Sequence, residues 1–386
     1  MDARNDGGER VGRSAPMETI AIPTDLLPAD GRFGCGPSKV RSAQTDMVAA
    51  LGTTVLGTSH RQAPVRSLVG RVKEGVAALL GAPDGYEVVL GNGGSTAFWD
   101  AATFSLVRDR AQHADFGEFG HKFATATDRA PFLGASDIRT APAGRLAVCE
   151  TAGGVDVYAY PHNETSTGVV SPVTRFGAGD ALTVVDATSI AGAREVDLAE
   201  TDVYYFAPQK VLASDGGLWI AVVSPAAAAR IEEVTADRWV PDFLNLQLAV
   251  ENSRKDQTLN TPAVGTLVLL AEQLDWLNEN GGLAWSAGRS LESAAALYDW
   301  AEATAVATPF VAEPAHRSPV VGTVDFDASV DAKTLAAQLR DNGVLDTEPY
   351  RKLGRNQLRV GMFPAIDPED VRALTACVDY LVERLA

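Results

Sequence analysis

The sequence predicts an α/β protein. A large first domain carries a mainly parallel sheet covered by helices, and a smaller C-terminal α+β domain follows it. Three observations point there. At 386 residues the chain exceeds what one hydrophobic core usually serves. Short apolar runs alternate with helix-length connections through most of it, the pattern of strands buried on both faces. The last hundred residues drop that rhythm and read as strand, helix, strand, helix. The large domain is expected over 21–290 and the small one over 291–386, with the boundary inside a helix-like run at 285–304. Residues 1–20 are expected to be a disordered tail, and Met17 is a candidate true start.

Each element has its own signal. Over 65–82, Leu68, Val69, Val72, Val76, Leu79 and Leu80 recur at spacings of three and four, and Gly81 and Pro83 end the helix. A strand at 86–90, a turn at Gly91-Asn92-Gly93-Gly94-Ser95 and a helix over 96–107 follow. Further strands are expected at 155–160, at 181–185 ending on Asp186, at 203–206 just before Lys210, and at 218–223. In the last part, 319–327 and 357–362 read as strands and 331–342 as a helix closed by Gly343. Asp367 caps a final helix with Pro368 at its first position, and Val371, Leu374, Val378 and Leu381 form its apolar face. Polar residues gather after the C-terminal ends of the strands, where open α/β sheets bind ligands.

A formal net charge of −17 argues against nucleic acid or an anionic membrane as the main partner. An anionic substrate would need a local cluster of cations. Three separated cysteines, Cys35, Cys149 and Cys377, have no metal-site spacing and imply a reducing cytoplasm. No apolar run reaches the length of a membrane span, and the first 16 residues lack the apolar core of a secretory signal.

Three features carry chemistry. Lys210 follows an aromatic, apolar strand. Burial disfavours a charged amine, so the residue reads either as a lysine at a loop edge or as a Schiff-base nucleophile, and on this segment alone the two readings are evenly matched. Asp186 ends the preceding strand. It can cap a helix, or it can pair with a pyridinium nitrogen. Gly93-Gly94-Ser95-Thr96 joins free backbone N–H groups to two hydroxyls at a helix start. That suits a phosphate, although plain helix caps look the same.

Together these features resemble the phosphoserine aminotransferase family of fold-type I, pyridoxal 5′-phosphate-dependent class V aminotransferases, in its actinobacterial branch. The resemblance runs from Phe33 onward through Gly36-Pro37-Ser38-Lys39, Thr58-Ser59-His60-Arg61 and Gly93-Gly94-Ser95-Thr96. It continues through His162-Asn163-Glu164-Thr165, Asp186-Ala187-Thr188-Ser189, Ala207-Pro208-Gln209-Lys210, Asn260-Thr261-Pro262 and the basic run at 350–359.

The resemblance implies a role for each matched residue. Lys210 would hold the cofactor as a Schiff base and shuttle the proton. Asp186 would pair with the pyridine nitrogen, and Thr165 would contact the phenolic side of the ring. Gly94, Ser95 and Gln209 would hold the cofactor phosphate. Asn260 and Thr261 would reach that phosphate from the partner of a homodimer. Phe119 stands where many relatives stack a tryptophan, and a phenyl ring offers less area and no N–H. Cys35 stands beside the substrate where serine is usual. Arg359 would hold the α-carboxylate, His60 and Arg61 the substrate phosphate, with Arg351 a looser match and Lys352 and Arg355 filling out a basic cluster. The implied reaction is ping-pong transamination from glutamate to 3-phosphohydroxypyruvate, giving 2-oxoglutarate and O-phospho-L-serine. The alternative is an alanine- or serine-glyoxylate-type aminotransferase, which needs no substrate-phosphate site.

Overall fold

The computed structural model describes residues 18–385. The expected tail and the start at Met17 lie outside them, except for residues 18–20.

The main sheet contains β1 (Glu87–Asn92), β2 (Ala111–Asp115), β3 (Asp137–Thr140) and β4 (Val157–Pro161). A small hairpin, β5 (Asn163–Glu164) and β6 (Val169–Val170), precedes the remaining main strands, β7 (Leu182–Asp186), β8 (Val203–Phe206) and β9 (Leu218–Val223). Their spatial order is β1-β9-β8-β7-β4-β2-β3. Pairs among β3, β2, β4, β7 and β8 are parallel, whereas β9 runs antiparallel to both β8 and β1. So β9 alone opposes the other six, and the mainly parallel sheet expected from the apolar runs is present.

The strands are buried on both faces because helices cover both. The helices are α1 (Ser42–Leu51), α2 (Ala63–Leu80), α3 (Ser95–Ser105), α4 (Glu118–Asp128), α5 (Pro225–Asp237), α6 (Leu246–Ser253), α7 (Val264–Glu279) and α8 (Gly282–Ala303). On one face Leu90, Tyr158, Val185, Tyr204 and Ile220 pack with apolar residues of α2 and α7. On the other, Val89, Val157, Val184, Tyr205 and Trp219 pack with α3, α5 and α6. Adjacent residues such as Tyr204 and Tyr205 therefore serve opposite layers, as the pleat requires. Phe98 of α3 stacks on Tyr205 at 4.1 Å between centroids.

The C-terminal part forms a three-stranded antiparallel sheet of β10 (Ala307–Pro309), β11 (Val321–Phe326) and β12 (Gln357–Gly361). It carries α9 (Ala332–Asp341) and α10 (Pro368–Leu385). Helix α8 runs unbroken through the expected boundary at 290. The start of the chain also differs from its expected grouping. The Ile20 and Ile22 N–H groups donate to Gln338 and Asn342, the Ala29 N–H donates to Asp370, and Leu345 donates to the Gly31 carbonyl. These hydrogen bonds tie residues 20–31 to the C-terminal part. The polar partners lie more than 300 residues away, so no local pattern announces them. Among the described residues no helix is long and apolar enough to cross a membrane.

Candidate active site

The ends of β1, β2, β4, β7 and β8 converge on a cavity of about 360 Å³, lined by Gly94, Ser95, Phe119, Thr165, Asp186, Gln209 and Lys210 among others. Lys210 enters from the turn after β8 and is 7% exposed. Its Nζ donates to Thr165 Oγ1 at 2.8 Å and lies 5.1 Å from the centroid of the Phe119 ring. Burial, and then the nearby Arg359 guanidinium, lower its pKa from 10.5 to about 8. A useful fraction of neutral amine therefore exists near pH 7, as a Schiff-base nucleophile requires. The segment before α1 packs along this lysine. Ser38 Oγ donates to the Lys210 carbonyl, and the Ser38 N–H donates to the Gln209 carbonyl. Gly36 has φ +134°, and a Cβ there would sit 2.8 Å from Lys210 Cε, so only glycine permits this approach.

Asp186 ends β7 at the cavity wall. Its Oδ1 accepts from the Thr188 N–H at 2.9 Å and its Oδ2 from the Trp99 indole N–H at 3.3 Å. Gly94, which also lines the cavity, is the N-cap of α3, and that helix start has no side-chain cap. Its first-turn N–H groups and the Ser95 hydroxyl, bonded to Thr188 Oγ1 at 2.6 Å, make a site for an anion. Gln209 Oε1 and Asn163 Oδ1 are buried without partners although both residues line the cavity. Unmet polar atoms and a capless helix start, in one cavity with an amine and a carboxylate, fit a flat polar ring bearing a phosphate.

The cations divide. Arg359, on β12, donates through Nη1 to the Thr165 carbonyl at 3.2 Å, and its Nε is buried without a partner. It forms no salt bridge among the described residues, so its fork remains open to a carboxylate. Lys352 is ion-paired with Glu118, and Arg355 with Asp325 of β11. These two are matched by the protein's own carboxylates, so the basic run does not act as one cluster. Arg351 is exposed and forms no ion pair among the described residues. Cys35 is buried, and burial pushes its thiol pKa up, leaving a small neutral group near Arg359 and Lys210.

His60, Arg61, Asn260 and Thr261 do not line this cavity. They form a separate group. His60 Nδ1 lies 3.2 Å from Thr261 Oγ1, and Arg61 Nη1 donates to Gln257 Oε1 at 3.1 Å.

Sequence reasoning missed Trp99, Thr188 and Asn163 as cavity residues. Trp99 stands four residues after Ser95, on the same face of α3, a spacing that could have revealed it. Thr188 and Asn163 lie inside motifs already noted for their neighbours.

The chain matches the family Aminotransferase class-V over residues 37–347. It is 63% identical over 370 residues to a relative from Mycolicibacterium vanbaalenii, spanning 95% of this chain and 100% of that one. It is 58% identical over 369 residues to the phosphoserine aminotransferase of Rhodococcus opacus, spanning 95% and 99%. The solved phosphoserine aminotransferase of Cytophaga hutchinsonii shares the fold with a TM-score of 0.83 at 21% identity, over 91% of this chain and 99% of that one. With a buried amine, a strand-end carboxylate and an anion-binding helix start around one cavity, the chain belongs to the class-V aminotransferases, whose cofactor is pyridoxal phosphate.

Proposed function

We propose that this protein transfers the amino group of glutamate to 3-phosphohydroxypyruvate, yielding 2-oxoglutarate and O-phospho-L-serine. The observation that carries the reading is its 58% identity, over nearly the whole of both chains, to the phosphoserine aminotransferase of Rhodococcus opacus. The cavity geometry supports it.

When bound, pyridoxal phosphate supplies the aldehyde that takes up the amino group and the ring that accepts the electrons released at the substrate Cα. The first-turn N–H groups of α3, Ser95, Thr188 and Gln209 would hold its phosphate. Asp186, its carboxylate oriented by the Thr188 and Trp99 N–H groups, would keep a proton on the ring nitrogen. Phe119, whose ring lies 5.1 Å from Lys210 Nζ, would pack against the cofactor ring. Lys210 would act as the neutral base that removes the substrate Cα proton and, as its conjugate acid, would return a proton on the far side of the substrate nitrogen. Thr165 aims Nζ through its hydroxyl. Arg359 binds the α-carboxylate that every substrate carries. The keto acid leaves before the second substrate enters, so the kinetics are ping-pong.

The active unit in this reading is a homodimer. Each chain lends His60, Arg61, Asn260 and Thr261 to its partner's cavity. Support comes from their placement: His60 contacts Thr261, Arg61 contacts Gln257 three residues before Asn260, and all four lie outside the cavity lining of their own chain. His60 and Arg61 then meet the substrate phosphate.

The test is the half-reaction of the cofactor-loaded enzyme with single amino acids, followed by the visible absorbance of the cofactor. O-phosphoserine and glutamate should react fast, alanine and serine slowly. Alanine or serine reacting as efficiently as O-phosphoserine would make a glyoxylate-type aminotransferase the better reading.

A further inference from the structure

Glu164 is fully buried in β5, yet no cation pairs with it among the described residues. Four donors surround it instead. Oε2 accepts from the N–H groups of Phe119 and Gly120, each at 3.0 Å. Oε1 accepts from the Ser166 N–H at 3.0 Å and the Ser166 hydroxyl at 2.7 Å. Phe119 and Gly120 belong to the first turn of α4, whose N-cap, Gly117, has no side chain to offer. Ser166 Oγ accepts from the Glu118 N–H at 3.0 Å, so the Glu164–Ser166 pair serves the first three N–H groups of that helix. Glycine is needed at 117 for space, because a Cβ there would lie 2.3 Å from Glu164 Cγ.

The two strands of this network end at the cavity. Phe119 presents its ring to Lys210, and Thr165, between Glu164 and Ser166, accepts from Lys210 Nζ and gives its carbonyl to Arg359. We propose that Glu164 is a positioning residue that caps α4 from outside the helix and thereby fixes both the ring over the cofactor and the hydroxyl that aims Lys210. All four groups that meet it donate and none accepts, so the site is built for the carboxylate form, at a helix N-terminus that favours an anion. Burial raises the pKa of this carboxyl above its ordinary value, and the four donors oppose that rise without cancelling it. The proposal rests on reading the cavity as a pyridoxal-phosphate site.

Glu164→Gln keeps the shape and removes the match. Its one carbonyl oxygen can serve either the helix N–H groups or Ser166, and its NH2 then faces donors on the other side. In the cofactor-free chain, amide hydrogen exchange should accelerate roughly 10-fold or more at Phe119 and Gly120, or at Ser166 if the amide turns over. In the loaded protein, the pyridoxal-phosphate dissociation constant should rise roughly 10-fold or more. The circular dichroism of the cofactor's visible band should change because its ring cover has moved. Wild-type exchange at all three amides overturns the proposal. So do wild-type cofactor affinity and dichroism in a variant that exchanges faster. If Glu164→Gln fails to fold, Ser166→Ala decides: it should speed exchange at Glu118 and alter the same dichroic band, and an unchanged band with unchanged affinity overturns the proposal. Wild type taking up no pyridoxal phosphate would instead refute the site reading, and the exchange measurements would still decide the cap.

Discussion

Replacing Lys210 by methionine should stabilise the cofactor-free protein at neutral pH and cease to do so in alkali. The amine sits in a cavity that lowers its pKa from 10.5 to about 8, chiefly by burial. Each unit is worth about 1.36 kcal/mol, so holding this lysine charged costs roughly 3 kcal/mol below pH 8. The sign follows from proton counting. Between pH 8 and 10.5 the unfolded chain keeps the proton that the folded chain has lost, so wild-type stability rises with pH across that window and the penalty is gone at its top. Methionine carries no charge and escapes the penalty, but it forfeits the Thr165 hydrogen bond, worth roughly 1 kcal/mol. The variant should therefore be about 2 kcal/mol more stable at pH 7, and the difference should reach zero at roughly pH 10. Urea midpoints of the two cofactor-free proteins from pH 6 to 10 measure it, because titrating groups common to both cancel. A difference that stays constant with pH, or a variant less stable at every pH, would refute the reasoning.

Four other outcomes are expected. Lys210→Ala should lose turnover and the visible absorbance of the lysine-linked cofactor; a band that borohydride still traps would mean another lysine is used. Mixing an Asn260→Ala/Thr261→Ala variant with Lys210→Ala should restore part of the activity if sites are shared between subunits, and a fully active monomer by light scattering would exclude that. Arg61→Ala should lower the efficiency with O-phosphoserine roughly 10- to 150-fold for one lost charge-assisted bond, with a smaller effect on glutamate and almost none on alanine. Arg359→Ala should slow all of these substrates, and an equal loss from Arg61→Ala across the amino acids would remove the case for a substrate-phosphate site.

The parts of the fold that were legible in the sequence are those where local pattern and final environment agree. Strands β8 and β9 lie over the same residues as the apolar runs at 203–206 and 218–223, because burial on both faces writes itself as unbroken hydrophobicity. Strand β2 was not legible. Its residues include Gln112 and His113, which are buried all the same, with Gln112 bonded to Asp137 and the Glu150 N–H and His113 to Thr127. A polar strand satisfied by distant partners carries no periodic hydrophobic signal. The antiparallel course of β9 was equally hidden, since strand direction depends on connections and not on composition. In the cavity, Lys210, Asp186 and the Gly94-Ser95 turn were visible because each follows a recognisable strand. Trp99 was passed over because an indole on a helix reads as core, and only its spacing from Ser95 hinted that its N–H meets a carboxylate.

Charge shows why proximity in sequence misleads. Arg351, Lys352, Arg355 and Arg359 fall within nine residues and read as one basic patch in a chain of net charge −17. The structure separates them by partner. Lys352 and Arg355 face Glu118 and Asp325, and exposed pairs of that kind contribute only about 0–1 kcal/mol each, so their main effect is to remove two cations from the substrate's reach. Arg359 has no such partner, and an unmet buried N–H is costly unless something completes it. It also bridges the two parts of the molecule, extending from β12 of the C-terminal sheet to the Thr165 carbonyl beside Lys210. A substrate carboxylate on Arg359 would therefore satisfy the open donor and tie the small sheet to the cavity in one contact. The same guanidinium helps to hold the Lys210 pKa down, so neutralising it on substrate entry would raise the basicity of Lys210 when the Cα proton must be removed.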